Sequence, residues 1–133
     1  MTLGEYLQGL ASKRREPGLH DCGTLACDWA VLCGRPDPMA EWRGVYETEA
    51  QLAGIIEIEG GVLAMFERGC AAAGIARREG APLPGDIGVL RIAGHEAGSV
   101  FTGERWAFVG NRGVGLARVE ADNIAAVWAV AHG

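Results

Sequence analysis

The 133-residue sequence contains no run of 18 apolar residues, which is short of what a membrane-crossing helix requires, and no membrane insertion is expected. Its four cysteines, Cys22, Cys27, Cys33 and Cys70, include no CxxC pair, so the usual zinc-ligand spacing is missing. On one helix Cys22 and Cys33 would share a face but lie about 16 Å apart along the axis, too far for one metal. The net charge is −5 and basic residues cluster only once, in "SKRRE" at 12–16. Without a basic stripe there is no nucleic-acid-binding face to expect, and that cluster reads as a solvated helix end. "GVGLAR" at 113–118 lacks the full spacing of a phosphate-binding loop and the helix that should follow it, so no cofactor is expected. "MTLGEYLQGLASKRR" lacks the basic-then-apolar order of a secretory signal. The expectation is a chain folded in the reducing cytoplasm of a host, whose cysteines are not a disulfide framework.

Apolar residues make up 49% of the chain and charged residues 22%, the balance of an ordinary globular domain. Its length predicts a single domain over residues 1–133. Thr2 with Glu5 forms a capping-box signature for a first helix running to about Lys13. A second helix is expected from about Asp21 to Leu32, stopped by Gly34 and Pro36, with Leu25, Ala26, Trp29 and Leu32 as its buried face. "MAEWRGVYET" is an irregular connection. Thr48 with Gln51 repeats the capping signature before a helix near 49–58, and Gly60–Gly61 separates it from another at 62–73. From there the pattern changes to short strands at about 86–92, in "AGSVFTG", "RWAFVG" and "GVGLARV", and finally in "AAVWAVA", with "GNRG" at 110–113 as a hairpin turn. Helices first and an antiparallel meander second define an α+β domain.

The chemistry in this pattern centres on Cys22, directly after His20 and Asp21 at the first turn of the second helix. A thiol becomes a nucleophile only as a thiolate, and its ordinary pKa of about 8.5 is lowered by the unpaired N–H groups and positive dipole end of a helix start. It also needs a base, normally an imidazole, and a third group to orient that base. His20 is too near in sequence for an easy approach and is expected just before the helix. His132 is expected at the surface near the end of the chain. His95, in "RIAGHEAGSVF" at the entry to a strand, is the remaining candidate. Cys27, Cys33 and Cys70 read as small buried hydrophobes. Of the four tryptophans, Trp29, Trp106 and Trp128 fit a core, and Trp42 in the irregular connection is the candidate for a surface role. Asp28 reads as structural.

A helix opening with "DCG" and a later "PGDIGVL…AGSVFTG" resemble the NlpC-type branch of the papain-like superfamily, enzymes that cut peptide bonds in the stem peptides of bacterial cell wall. More narrowly, "HDCGTLACDWAVLCGRPDP", "WRGVYET", the "GG" break, "PGDIGVL", "GVGLARV" and "VWAV" resemble a family of small phage proteins encoded among tail genes and related to the NlpC fold. The resemblance covers most of the chain. It implies a papain-like fold, with N-terminal helices packed on a C-terminal β-meander. By position, Cys22 matches the nucleophile and Asp21 the residue before it. Pro84, Gly85 and Asp86 match the turn into the first strand. Ala97 and Gly98 match the Val-Gly of the histidine strand, which puts Glu96 at the histidine position and His95 one residue early, aimed at the opposite face if the strand has begun. The orienting position falls near Phe108 or Val109, whose side chains accept no hydrogen bond, and Asn111 is the nearest polar residue. Two functions follow from the resemblance. One is a cysteine peptidase or amidase that helps a phage tail cross the peptidoglycan. The other is a catalytically degenerate structural subunit of the tail tip or tail assembly. In both, the implied partners are other tail proteins and the implied location is the virion.

Overall fold

The computed structural model describes residues 1–130, and His132 lies outside them. Four helices precede a five-stranded sheet: α1 (Leu3–Leu10), α2 (Cys22–Leu32), α3 (Glu49–Glu59), α4 (Val62–Ala72), β1 (Ile87–Ile92), β2 (His95–Phe101), β3 (Trp106–Gly110), β4 (Gly113–Ala117) and β5 (Ile124–Trp128). Every strand pairing is antiparallel, in the order β4-β3-β2-β1-β5. The expected α+β class is thus observed.

Local signals explain most boundaries. Thr2 and Glu5 form a reciprocal capping box on α1, but the helix stops at Leu10 rather than Lys13. On α3, Thr48 accepts from Gln51 N, while Gln51 Oε1 reaches back to Glu47 N, one residue before the cap. The turn Leu83–Asp86 has proline second and Gly85 third at φ 93°, closed by Asp86 N donating to Leu83 O at 3.0 Å, the pattern of a type II turn.

Alternation along the strands gives the sheet two buried faces. Ile87, Val89, Val100, Ala107, Val109, Ala126 and Trp128 join the main core with α2, α4 and α1. Leu90, Trp106 and Val127 form a second, smaller cluster on the other face, edged by Phe101, Val119 and Ile124. All four tryptophans are buried, Trp42 included. It faces inward beside Met39 and Tyr46 and is not a surface residue, because the irregular connection folds back over the start of α2. Leu32, expected on the buried face, is 53% exposed, since it lies in the last turn of α2 beyond the sheet.

The feature that positions the candidate site is a fork in the sheet. β1 and β2 pair over six residue pairs and β3 and β4 over five, but β2 and β3 pair only at Val100↔Ala107 and Phe101↔Trp106. Continued in register, Gly98 would face Val109. Instead the first turn of α2 sits in the opening, against both strands. A Cβ on Gly98 would come within 2.7 Å of both Cys22 O and Phe66 Cζ, closer than real contacts allow. Gly98→Ala is expected to destabilise the protein by about 1–3 kcal/mol through overpacking, read as a lower urea midpoint at unchanged slope. An unchanged midpoint would mean that α2 is not seated tightly in the fork.

Candidate functional site

Cys22 is the first residue of α2, and its place is fixed by the residue before it. Asp21, only 1% exposed, caps the helix by accepting from Thr24 N at 2.9 Å, while Thr24 Oγ1 accepts from Asp21 N at 2.7 Å. The other oxygen of the carboxylate accepts from Gly18 N at 2.8 Å and from the Tyr46 hydroxyl at 2.6 Å. Burial, and then the carboxylate partner, push the Tyr46 phenol well above its ordinary pKa, so Tyr46 is a permanent donor.

From this anchored turn the Cys22 thiol donates to Val109 O at 3.1 Å, across the fork. Arg15 reaches the same carbonyl with Nη1 at 3.4 Å, and its Nε and Nη2 hold the Glu49 carboxylate at 2.7 and 3.2 Å. The sequence pattern points to a thiol activated by the helix start. Here burial dominates and holds the Cys22 thiol above its ordinary value, while the Val109 backbone and then the Arg15 charge act in the opposite direction without prevailing.

Cys22 stands at one end of a cleft roofed by α3 and α4. Its walls are Cys27, Met39, Trp42, Tyr46, Leu52, Ile56, Val62, Met65 and Phe66, and its charged lining groups are Arg15, Asp21 and Glu96. A volume of about 120 Å³ is slightly below the roughly 150 Å³ apolar cavity known to hold benzene. It fits one side-chain-sized apolar group.

The sequence candidates separate as follows. Glu96 lines the cleft, but its oxygens are engaged: Oε1 accepts from Leu63 N at 3.1 Å and Oε2 from Arg91 Nε at 3.3 Å. Gly61, the N-cap of α4, has no side chain to offer, and Glu96 caps that helix from the sheet, where a carboxylate suits the positive dipole end. The strand begins at His95, which pairs with Ile92. His95 is exposed, does not line the Cys22 cleft, and borders a neighbouring depression with Arg91 and Gly94 that shares Ile56, Val62 and Glu96 with the cleft. Asn111 is exposed in the β3–β4 turn. His20 is buried just before α2, as expected, and its Nε2 has no hydrogen-bond partner among the described residues. Asp28 is paired with Arg43 at 2.8 Å. Cys27 and Cys70 are buried and Cys33 half-buried. Among the described residues no group of three or more His, Cys, Asp or Glu could hold a metal ion, and no helix is long and apolar enough to cross a membrane.

Sequence reasoning missed Arg15 and Tyr46. Arg15 was hidden inside a basic cluster that reads as solvated, and nothing marks which of its three cations turns inward. Tyr46 lies 25 residues from the carboxylate it binds.

The site is thus a shielded thiol at a sheet fork, beside an apolar cleft whose lining includes no imidazole, within an α+β domain. The chain belongs to the family described as Domain of unknown function (DUF6950), which matches residues 1–130. No curated protein and no solved structure matches it.

Two measurements follow from these environments. Alkylation of Cys22, followed by mass spectrometry, is expected to keep rising with pH through about 9 without an earlier plateau, and His95→Ala should leave the profile unchanged. A plateau near neutrality that His95→Ala removes would show a Cys–His pair that this geometry does not contain. Burial, first, and the Lys13 charge hold His20 below its ordinary 6.5. The unfolded chain therefore takes up the proton first, and this contribution to stability is present above about 6.5 and lost as pH falls below it. The denaturation midpoint should drop between about pH 7 and 5, and the drop should shrink in His20→Gln.

Proposed function

We propose that this protein is a non-catalytic structural subunit of a phage tail, with a papain-like, NlpC-type scaffold whose hydrolytic machinery is not assembled. The observation that carries this reading is the use made of Glu96. At the position where the resemblance calls for a histidine, Glu96 caps α4 through Leu63 N and pairs with Arg91, a constructional role. Two further features support it. The thiol is a hydrogen-bond donor held above its ordinary pKa by burial, and His95 stands outside the cleft. A carboxylate in place of the imidazole would repel the thiolate it had to support. Loss of a placed general base alone removes roughly two to four orders of magnitude of rate.

The order of motifs, a helix-borne cysteine followed by a β-meander entered through Pro84, Gly85 and Asp86, supports the scaffold. The partners on this reading are neighbouring tail proteins, and the location is the virion. The hydrolase reading keeps one observation in its favour, the seat of Cys22 at the start of α2 in the sheet fork.

The test is Cys22→Ala in the phage or prophage that encodes the chain, together with incubation of the purified wild-type protein with peptidoglycan. The expected outcome is normal tail assembly and infectivity in the variant, and no stem-peptide fragments from the wild type by mass spectrometry. Fragment release that Cys22→Ala abolishes would overturn the proposal in favour of a peptidase. Particles that assemble without the protein, and do not contain it, would remove the tail assignment.

A further inference from the structure

Among the described residues α3 differs from the other three α-helices in having no buried residue. Its main neighbour is α4, and its apolar Leu52, Ile55 and Ile56 are half-buried, while Ile58 is 83% exposed. Its own sequence adds little. Gly54 interrupts the middle of the helix, and Glu57 and Glu59 stand at its negative end with no basic residue in the last turn, both unfavourable for a helix standing on its own; Glu59 is offset by Arg68 of α4 at 3.5 Å, beside the glycine pair. Few buried apolar contacts mark the segments that open locally at low cost. Leu52 and Ile56 nevertheless form the outer wall of the Cys22 cleft.

The two ends of α3 are unlike. At its C-terminus Gly60 and Gly61 have φ of 91° and 116°, left-handed backbone that glycine adopts without strain and leaves easily. At its N-terminus the first residue, Glu49, is held by the two-pronged bond from Arg15. Arg15 is itself anchored on the sheet side of the cleft through Val109 O. The Glu49 side chain is 59% exposed, so water competes for this attachment.

We propose that α3 is a lid over the Cys22 cleft, hinged at Gly60–Gly61 and latched by the Arg15–Glu49 ion pair. Release of the latch swings Leu52 and Ile56 away from Met39, Trp42, Val62, Met65 and Phe66. The cleft then becomes an open apolar trough with the thiol at its end. Arg15 stays on the sheet, so closing again requires only that Glu49 return to it. The lid goes beyond the assignment to a phage tail, and holds or fails independently of it.

Cys22 reports on the lid, because it lines the cleft, and Cys70, fully buried on the core face of α4, reports on global unfolding. The experiment measures alkylation of both thiols by N-ethylmaleimide at pH 7.5 in the full chain, by mass spectrometry, for wild type, Glu49→Gln and Leu52→Ala/Ile56→Ala. Loss of an exposed ion pair should speed Cys22 modification by about two- to fivefold and leave Cys70 unchanged. Raising salt should speed the wild type and not Glu49→Gln. Hydrogen exchange should show the α3 amides opening as a block, ahead of those of α2 and α4. Equal acceleration of Cys22 and Cys70 in both variants would assign the effect to unfolding and overturn the proposal. So would a Cys22 rate indifferent to Glu49, to salt and to the underside of α3, since the thiol would then react through a static mouth.

Discussion

A single buried carboxylate holds the N-terminal half of this domain together. Asp21 is almost wholly removed from water, and such a group is tolerated only when its acceptor sites are filled. Its oxygens accept from Thr24 N, from Gly18 N and from the Tyr46 hydroxyl. Three separate pieces of chain are thereby fixed to one another: the start of α2, the loop that leads into it, and the connection that follows it. The hydrogen bonds set the direction in which α2 leaves. That direction places its first turn in the sheet fork and Trp29 where its indole N–H donates to Gly85 O at 2.9 Å. The cleft walls formed by Met39, Trp42 and Tyr46 exist because that connection is tied back to Asp21.

The entrance to the sheet uses the same device. Asp86, fully buried, accepts from Leu83 N at 2.9 Å and is paired with the Arg78 guanidinium at 2.9 and 3.2 Å. Its own carbonyl accepts from Phe101 N at 2.8 Å, and Gly85 N donates to Phe101 O at 2.7 Å. The Pro84–Gly85–Asp86 turn therefore fastens the beginning of β1 to the end of β2, and through Trp29 to α2. The residues that look most like chemistry in this sequence, two acids beside a cysteine and a glycine turn, are here structural members.

This division of labour assigns the acids beside the cysteine and at the sheet entrance to holding the fold together. Asp21, Asp86 and Glu96 each accept from backbone N–H groups, and their remaining partners are the Tyr46 hydroxyl, the Arg78 guanidinium and the Arg91 guanidinium respectively. What is left free is shape. The apolar volume beside Cys22 is bounded on one side by a rigid sheet and α2. On the other side is α3, the least buried helix of the domain.

The α+β order, the capping boxes, the glycine stops and the α2 start were legible in the sequence, because they rest on local chemistry: a side-chain acceptor three residues from an unpaired N–H, or a backbone angle that only glycine tolerates cheaply. Cys22 at a helix start followed from the same local rules. The strand containing His95 was legible, but its first residue was not. Whether the ladder starts at 95 or after 96 decides which side chain enters the cleft, and that depends on pairing with Ile92 across the turn. Trp42 was misplaced because an irregular segment carries no periodicity from which to tell inside from outside. The proton affinity of Cys22 was beyond the sequence altogether, since the helix start and the burial act in opposite directions and only the packing of β2, β3 and α4 around the thiol fixes their balance. By itself the sequence determined which segments form and those of their ends that a local cap or glycine sets. The tertiary structure alone decided what faces the thiol, because it depends on where a ladder ends and on which of three neighbouring cations turns inward.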